Sequence, residues 1–217
     1  GEEAIPALVD ALASEAKEER WRAAQLLSSF RTRAAPAREA LGRLLRDPVP
    51  EVRIQAAITL YFLDPRANEG LPVVLEALRS PDPLQAIDAA GILRAKEALP
   101  ELRSRILGDA RRAVVLAAAD AMRRIEGSPE PAVAALDEAL RANGAEVRAN
   151  AAAALGNLGA AAAPALPNLL QAARDPEAAV RAAVAAALPR VARPGDAEVA
   201  AALDALARDP AAEVRAA

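Results

Sequence analysis

The sequence predicts an all-α fold, a right-handed α-solenoid of about six and a half helical hairpins stacked in series. Three observations predict it. The first is a repeated stretch. Asp175-Pro176-Glu177-Ala178-Ala179-Val180-Arg181-Ala182-Ala183 reads as a turn running into a helix. Asp47-Pro48-Val49-Pro50-Glu51-Val52-Arg53, Glu146-Val147-Arg148 and Asp209-Pro210-Ala211-Ala212-Glu213-Val214-Arg215 repeat it. Arg148 and Arg181 are 33 residues apart, Arg181 and Arg215 34, and Arg53 and Arg148 95, close to three periods. The second is that apolar residues after each signature recur at three- and four-residue spacing, the period of a helix with one buried stripe. The third is composition: 53% of the chain is hydrophobic and only 2% aromatic. Alanine dominates the apolar part, and it combines the best helix propensity with room for close backbone approach.

Each repeat reads as a first and a second helix. In repeat one (1–33), Ile5, Leu8, Val9 and Leu12 mark a first helix over roughly 4–13, and Ala23, Ala24, Leu27 and Phe30 a second over roughly 18–30. In repeat two (34–67), Pro36 opens a helix with Leu41 and Leu44, and Val52, Ala56, Leu60 and Leu63 line the next. Asp64-Pro65-Arg66-Ala67-Asn68 is the break. Repeat three (68–95) has Leu71, Val74 and Leu78, then Pro81-Asp82-Pro83, then a helix from about 84 to 94, with Leu84-Gln85 where valine-arginine would stand. Repeat four (96–128) turns at Gly108-Asp109 and has Val115 in the arginine place. Repeats five (129–159) and six (160–195) are regular, and repeat seven (196–217) stops one turn into its second helix. The turn aspartates are expected to cap the second helices, with the following proline at the first helical position. The early stop, and Gly1 as an expression remnant, lead us to expect a piece of a longer protein, with uncapped ends open to end-to-end self-association.

Several function classes are disfavoured. A net charge of −3 and a pI near 5.3 lack the basic footprint of a general nucleic-acid binder. Without cysteine or histidine there is no disulfide, no thiolate zinc site and no imidazole base or ligand. No metal site and no cofactor are expected. No glycine-rich phosphate loop and no carboxylate pair of diagnostic spacing is present, so a non-enzyme is expected. Pro, Arg and Asp interrupt every apolar run before it could span a bilayer, and no signal peptide is found. The cytoplasm is slightly favoured. Arginine over lysine, 25 to 2, points to a GC-rich, bacterial genome.

The pattern Ala-Leu-Pro-x-Leu … Asp-Pro … Val-Arg-x-x-Ala-Ala-x-x-Leu resembles HEAT and HEAT-like (PBS-lyase-type) repeats over essentially the whole chain. Repeats two, five and six match well, while one, three and four depart from it. The resemblance implies a ladder between neighbouring repeats built from the aspartate and the arginine six positions later. Asp47/Arg53, Asp175/Arg181 and Asp209/Arg215 fit that spacing, whereas Arg148 has Ala142 in the aspartate place. With the arginine missing in repeats three and four, the ladder should be interrupted there. The resemblance also implies a protein-binding scaffold, with the outer side of the second helices lining a concave face. A minority of such proteins resemble DNA glycosylases or bilin lyases.

The aromatic residues single out one end. Trp21, Phe30, Tyr61 and Phe62 all precede residue 63. Aligning Ala23-Ala24 with Ala56-Ala57 puts Trp21 in register with Ile54, Ala149 and Ala182. If Val52, Ala56, Leu60 and Leu63 are buried, Ile54, Ile58 and Tyr61 fall on the opposite stripe. Repeats five and six have only Ala149, Ala153, Gly156 and Ala182, Ala186, Pro189 there. Large apolar groups on a wet face mark a binding patch, and Trp and Tyr are hot-spot residues. The alternative is that neighbouring repeats cover them as core. The expected anchors are Trp21, Ile54, Ile58 and Tyr61, with Gln25 and Gln55 as polar neighbours and Leu116 extending the patch. Residues 31–53 and 101–126 each hold six arginines, against three and four acids, whereas 127–217 hold eight arginines against eleven acids. These charges read first as solvated helix faces. The expected function is a non-catalytic scaffold for a protein or peptide partner. The other readings are a HEAT-like nucleic-acid enzyme of the glycosylase kind, or a regulatory segment of a catalytic protein.

Overall fold

A computed structural model describes residues 2–66 and 68–217. Gly1 and Ala67, which the sequence reading placed at an expression remnant and in the second break, lie outside the described residues. Among the described residues there are fourteen α-helices and no strand. The chain forms two compact units, Gly1–Ala98 and Leu99–Ala217.

In the first unit the helices are α1 (Ile5–Ala11), α2 (Lys17–Ser28), α3 (Arg38–Leu44), α4 (Pro50–Leu63), α5 (Leu71–Ala77) and α6 (Leu84–Leu93). Each first helix packs on its own second helix, and α4 lies between α2 and α6. The core is the inward stripe of these helices: Leu27, Leu41, Leu60, Leu78 and Ile87 are fully buried. Burial of each such side chain contributes about 1.5–3 kcal/mol. Phe30 packs on this core from its edge. Pro36 lies in a 3-10 turn, Arg31–Ala37, that leads into α3. The α6 helix ends at Arg94, whose φ of 49° places a non-glycine residue in the left-handed region.

The second unit comprises α7 (Leu99–Gly108), α8 (Arg112–Glu126), α9 (Glu130–Ala139), α10 (Ala145–Leu158), α11 (Leu166–Ala172), α12 (Ala178–Val191), α13 (Ala197–Leu206) and α14 (Ala212–Arg215). Leu102, Ile106, Leu136, Leu155, Leu169 and Leu188 fill its core. Val115, in the place of a signature arginine, is itself fully buried. In this unit α10 and α12 pack closely, because small residues meet there. A Cβ added at Gly156 would lie 2.9 Å from the Cα of Ala187. In the first unit Gly70 makes the same kind of approach, since a Cβ there would lie 2.4 Å from the Cβ of Ala57.

The turn aspartates do not cap the second helices. Asp175 Oδ1 accepts the N–H of Glu177 at 2.9 Å, and α12 begins only after Glu177, so Pro176 stands outside the helix. Asp47 and Asp209 accept in the same way from Val49 and Ala211. In α4 it is Pro50, two residues beyond Pro48, that takes the first helical position. The turn needs the carboxylate oxygen locally, which leaves the rest of the group for a partner in the preceding repeat.

That partner is an arginine, and the geometry recurs. Arg148 Nε and Nη2 donate to Asp175 at 2.7 and 2.9 Å, and its Nη1 donates to the carbonyls of Ala142 and Asn143. Arg181 does the same to Asp209, and to the carbonyls of Asp175 and Pro176. Each arginine ties its own turn by backbone and grips the next repeat by side chain. Position 142 therefore contributes only a carbonyl, and an alanine there deprives Arg148 of nothing. Arg53 and Arg215 keep the backbone half, to Asp47 and Pro48 and to Asp209 and Pro210. The carboxylate of Asp47 is held by Arg20 at 2.7 and 3.0 Å. Arg20 stands in the arginine column of repeat one, and the alignment that placed Trp21 beside Ile54 places Arg20 beside Arg53. The reading missed it because Glu19 precedes it where the signature has valine.

The Arg148 bond, against the cost of burial, holds the Asp175 carboxyl below the usual carboxylate range, and the Arg181 bond does so for Asp209. Burial alone would raise Asp47. The Arg20 bond, the Val49 amide and the charges of Arg20 and Arg53 outweigh it and hold Asp47 low as well.

Candidate partner-binding cleft

The N-terminal ends of α2, α4 and α6 border an open cleft of about 450 Å³. Trp21 and Val49 supply its open apolar surface, and Val52, 1% exposed, closes its base. Lys17, Glu18, Arg22, Glu51 and Gln85 surround them, two cations against two anions and one amide. Trp21 is half-buried and packs on the core cluster of the first two repeats while also lining the cleft. Its position follows from the ladder: Arg20 is drawn to Asp47 of the next repeat, and the adjacent Trp21 is set beside Val49 and Val52 of that repeat. Gln85 occupies the place of the signature arginine in repeat three, so the cleft lies where the repeat pattern breaks.

The other expected anchors do not converge here. Ile54 is only 5% exposed and Gln55 8%, and neither offers surface to a partner. The opposite-stripe argument treated α4 as a helix with one buried side. In the array α2 and α6 flank it, so residues beside the core stripe are covered by neighbouring second helices. Gln55 Nε2 donates to Thr59 Oγ1, and that hydroxyl donates to the carbonyl of Ala24 on α2, which makes Gln55 part of a tie between repeats. Gln25 is exposed on α2. Ile58 and Tyr61 are half-buried further along α4. Tyr61 and Trp21 differ by about seven residues in register, roughly 10 Å along parallel helices. Tyr61 contacts Phe62, with ring centroids 5.9 Å apart, and the guanidinium of Arg31 stands 5.3 Å from the Phe62 centroid. The aromatics thus form a Trp21 group and a separate Tyr61–Phe62–Arg31 group. Leu116 is half-buried on α8 in the second unit.

Val49, Arg22 and Gln85 are cleft residues that the sequence alone did not single out. Val52 is core, as its spacing predicts, and the rim residues come from three repeats whose convergence no single-helix periodicity shows. Leu26 and Leu84, 54% and 39% exposed, are large apolar side chains open to solvent in this same unit. Among the described residues no group of three metal-ligating side chains occurs, and no helix is long and apolar enough to cross a membrane.

The family model for HEAT repeats matches residues 5–89 and 134–217, well over half of the sequence. The chain belongs to the HEAT-repeat family. No curated protein matches it in sequence. Among solved structures, YibA of Escherichia coli is similar over 96% of this chain and 83% of its own, at 16% identity and a TM-score of 0.51. The complex of CpcE and CpcF of phycocyanin lyase from Nostoc is similar over 93% of this HEAT-repeat chain and 94% of the other, at 20% identity and a TM-score of 0.50. A computationally designed armadillo repeat protein for modular peptide recognition is similar over 87% and 100%, at 22% identity and a TM-score of 0.46. At these identities the likeness is one of fold, helical repeats stacked in series.

Proposed function

We infer that this HEAT-repeat chain is a non-catalytic scaffold that binds a protein or peptide partner, and that the Trp21 cleft of the first unit is where the partner seats. The observation that carries this reading is a tryptophan anchored on one side by the core and open on the other into an apolar, charge-balanced cleft. Such a residue holds its binding conformation before the partner arrives, so little side-chain entropy is lost on docking. The balanced rim favours an amphipathic segment, with its apolar residues on Trp21 and Val49 and its polar ones facing Lys17, Arg22, Glu18 and Glu51. The lack of histidine and cysteine throughout the sequence supports the non-catalytic part. A peptide library displayed on phage and selected on the intact protein tests the reading. Selected peptides should carry aromatic or aliphatic residues and quench or shift Trp21 fluorescence. They should lose binding to Trp21→Ala, with helicity retained by circular dichroism. Peptides that bind Trp21→Ala undiminished would remove the cleft from the function.

A further inference from the structure

The second unit has a groove of its own, and its chemistry differs from that of the Trp21 cleft. About 450 Å³ opens along the outer side of α10 and α12 toward the start of α8. Ala182 and Ala186 lie in its floor, and Arg112, Asn150, Asn157 and Arg190 provide its polar groups. No acidic side chain lines it. Arg112 makes no ion pair among the described residues, and Arg190 is engaged only by the neutral Asn157, whose Oδ1 accepts from it at 3.3 Å. In the same unit Arg148 and Arg181 are each locked to an aspartate. Arg190 is the exception in a stretch, 127–217, where acids outnumber arginines eleven to eight, and Arg112 belongs to the arginine-rich stretch 101–126.

Asn150 adds a second, independent feature. It is 9% exposed, and its Nδ2 donates to the carbonyl of Ala110 at 2.7 Å. Its Oδ1 accepts no hydrogen bond within the described residues, although the side chain lines the groove. That oxygen is open to the groove, so a ligand N–H can take the place of the water that otherwise reaches it.

We propose that this groove binds an extended acidic peptide segment of another protein, with carboxylates on Arg112 and Arg190 and a backbone N–H on Asn150 Oδ1. The alanine floor lets a main chain lie close to α10 and α12. Arg112 opens α8 and Arg190 closes α12, two helix neighbours apart at about 8–10 Å each. With their offset of about 18 Å along the helices, the arginines start roughly 25 Å from one another, a span that an extended chain covers in about eight residues. A compact anion such as phosphate reaches one arginine only. This site is independent of the Trp21 cleft and stands whether or not that cleft binds a partner.

The test is fluorescence anisotropy of the intact protein with a fluorescein-labelled peptide of alternating Glu and Ala, beside the same peptide with Gln for every Glu. The Glu peptide should bind saturably and weaken as salt is raised, and the Gln peptide should not bind. Arg112→Gln and Arg190→Gln, both at exposed positions, should each weaken binding about tenfold, the effect of losing one charge-assisted pair. Ala186→Glu should abolish it, and Trp21→Ala should leave it unchanged. Absence of binding, equal binding of the Gln peptide, or indifference to both arginine substitutions would overturn the proposal. So would displacement of the peptide by duplex DNA in an arginine-dependent manner, which would assign the groove to nucleic acid.

Discussion

At the scale of single residues, stability is concentrated in buried charge pairs and in close contacts between small side chains. Asp175 has a side chain 8% exposed and is held by Arg148, itself 14% exposed. Arg148→Met should therefore lower the unfolding free energy by about 2–3 kcal/mol, because it leaves a nearly buried carboxylate without its partner. Arg43→Met breaks a pair with Glu39 that is 70% and 88% exposed, and it should change stability hardly at all. Urea titrations of the two variants check the contrast. Gly156 gives a test of packing: with Ala187 already 2.9 Å from where its Cβ would sit, Gly156→Val should cost about 1–3 kcal/mol by forcing α10 from α12. The same substitution at Gly42, whose Cβ would meet nothing within 4 Å, lacks that overpacking cost.

At the scale of elements, much of the fold was legible. The second helix of repeat three was expected to end near residue 94, and it ends there, with Arg94 in the left-handed conformation at its C-terminus. Such a conformation costs a residue with a Cβ about 1 kcal/mol that glycine does not incur, so Arg94→Gly should raise the midpoint of thermal unfolding modestly. A lower midpoint would mean that the exposed Arg94 side chain contributes more than its backbone costs. Helix existence could be read because apolar spacing is a local property. The turns were read less well. Asp-Pro looks like a cap followed by a first helical residue, and both would serve one helix. In the structure the aspartate closes its own turn with one oxygen and receives an arginine from the preceding repeat. The ladder partner of Asp47 was missed for the same reason, since Arg20 is 27 residues away in sequence.

At the scale of the whole molecule, the titratable inventory sets the response to pH. Asp47, Asp175 and Asp209 have folded carboxyl pKa values below the ordinary range, as does Asp109 beside Arg111. A lowered folded pKa stabilises fully above the unfolded value of about 3.9, and that contribution is lost as pH falls through the folded values. No histidine or cysteine titrates between pH 5 and 8. The urea midpoint should accordingly be flat across that interval and fall steeply below about pH 4. Arg148→Met should flatten part of the acid limb, because Asp175 then gains less from ionising. A midpoint that changes between pH 6 and 8 would contradict this assignment.

The sequence by itself determined the all-helical repeat architecture, the family, the approximate place of each helix and the positions of the signature arginines. These are properties of spacing, and each repeat states them again. Only the tertiary structure decided which outward residues stay outward. Ile54 shares a periodic stripe with Ile58 and Tyr61, and Gln55 adjoins it, yet both Ile54 and Gln55 are buried, because a second helix in an array has neighbours on both flanks. Trp21 keeps an open side because its surroundings come from three different repeats, with Gln85 rather than arginine at the edge. The groove on α10 and α12 likewise depends on alanines and arginines that are ordinary one by one and acquire meaning from being brought together.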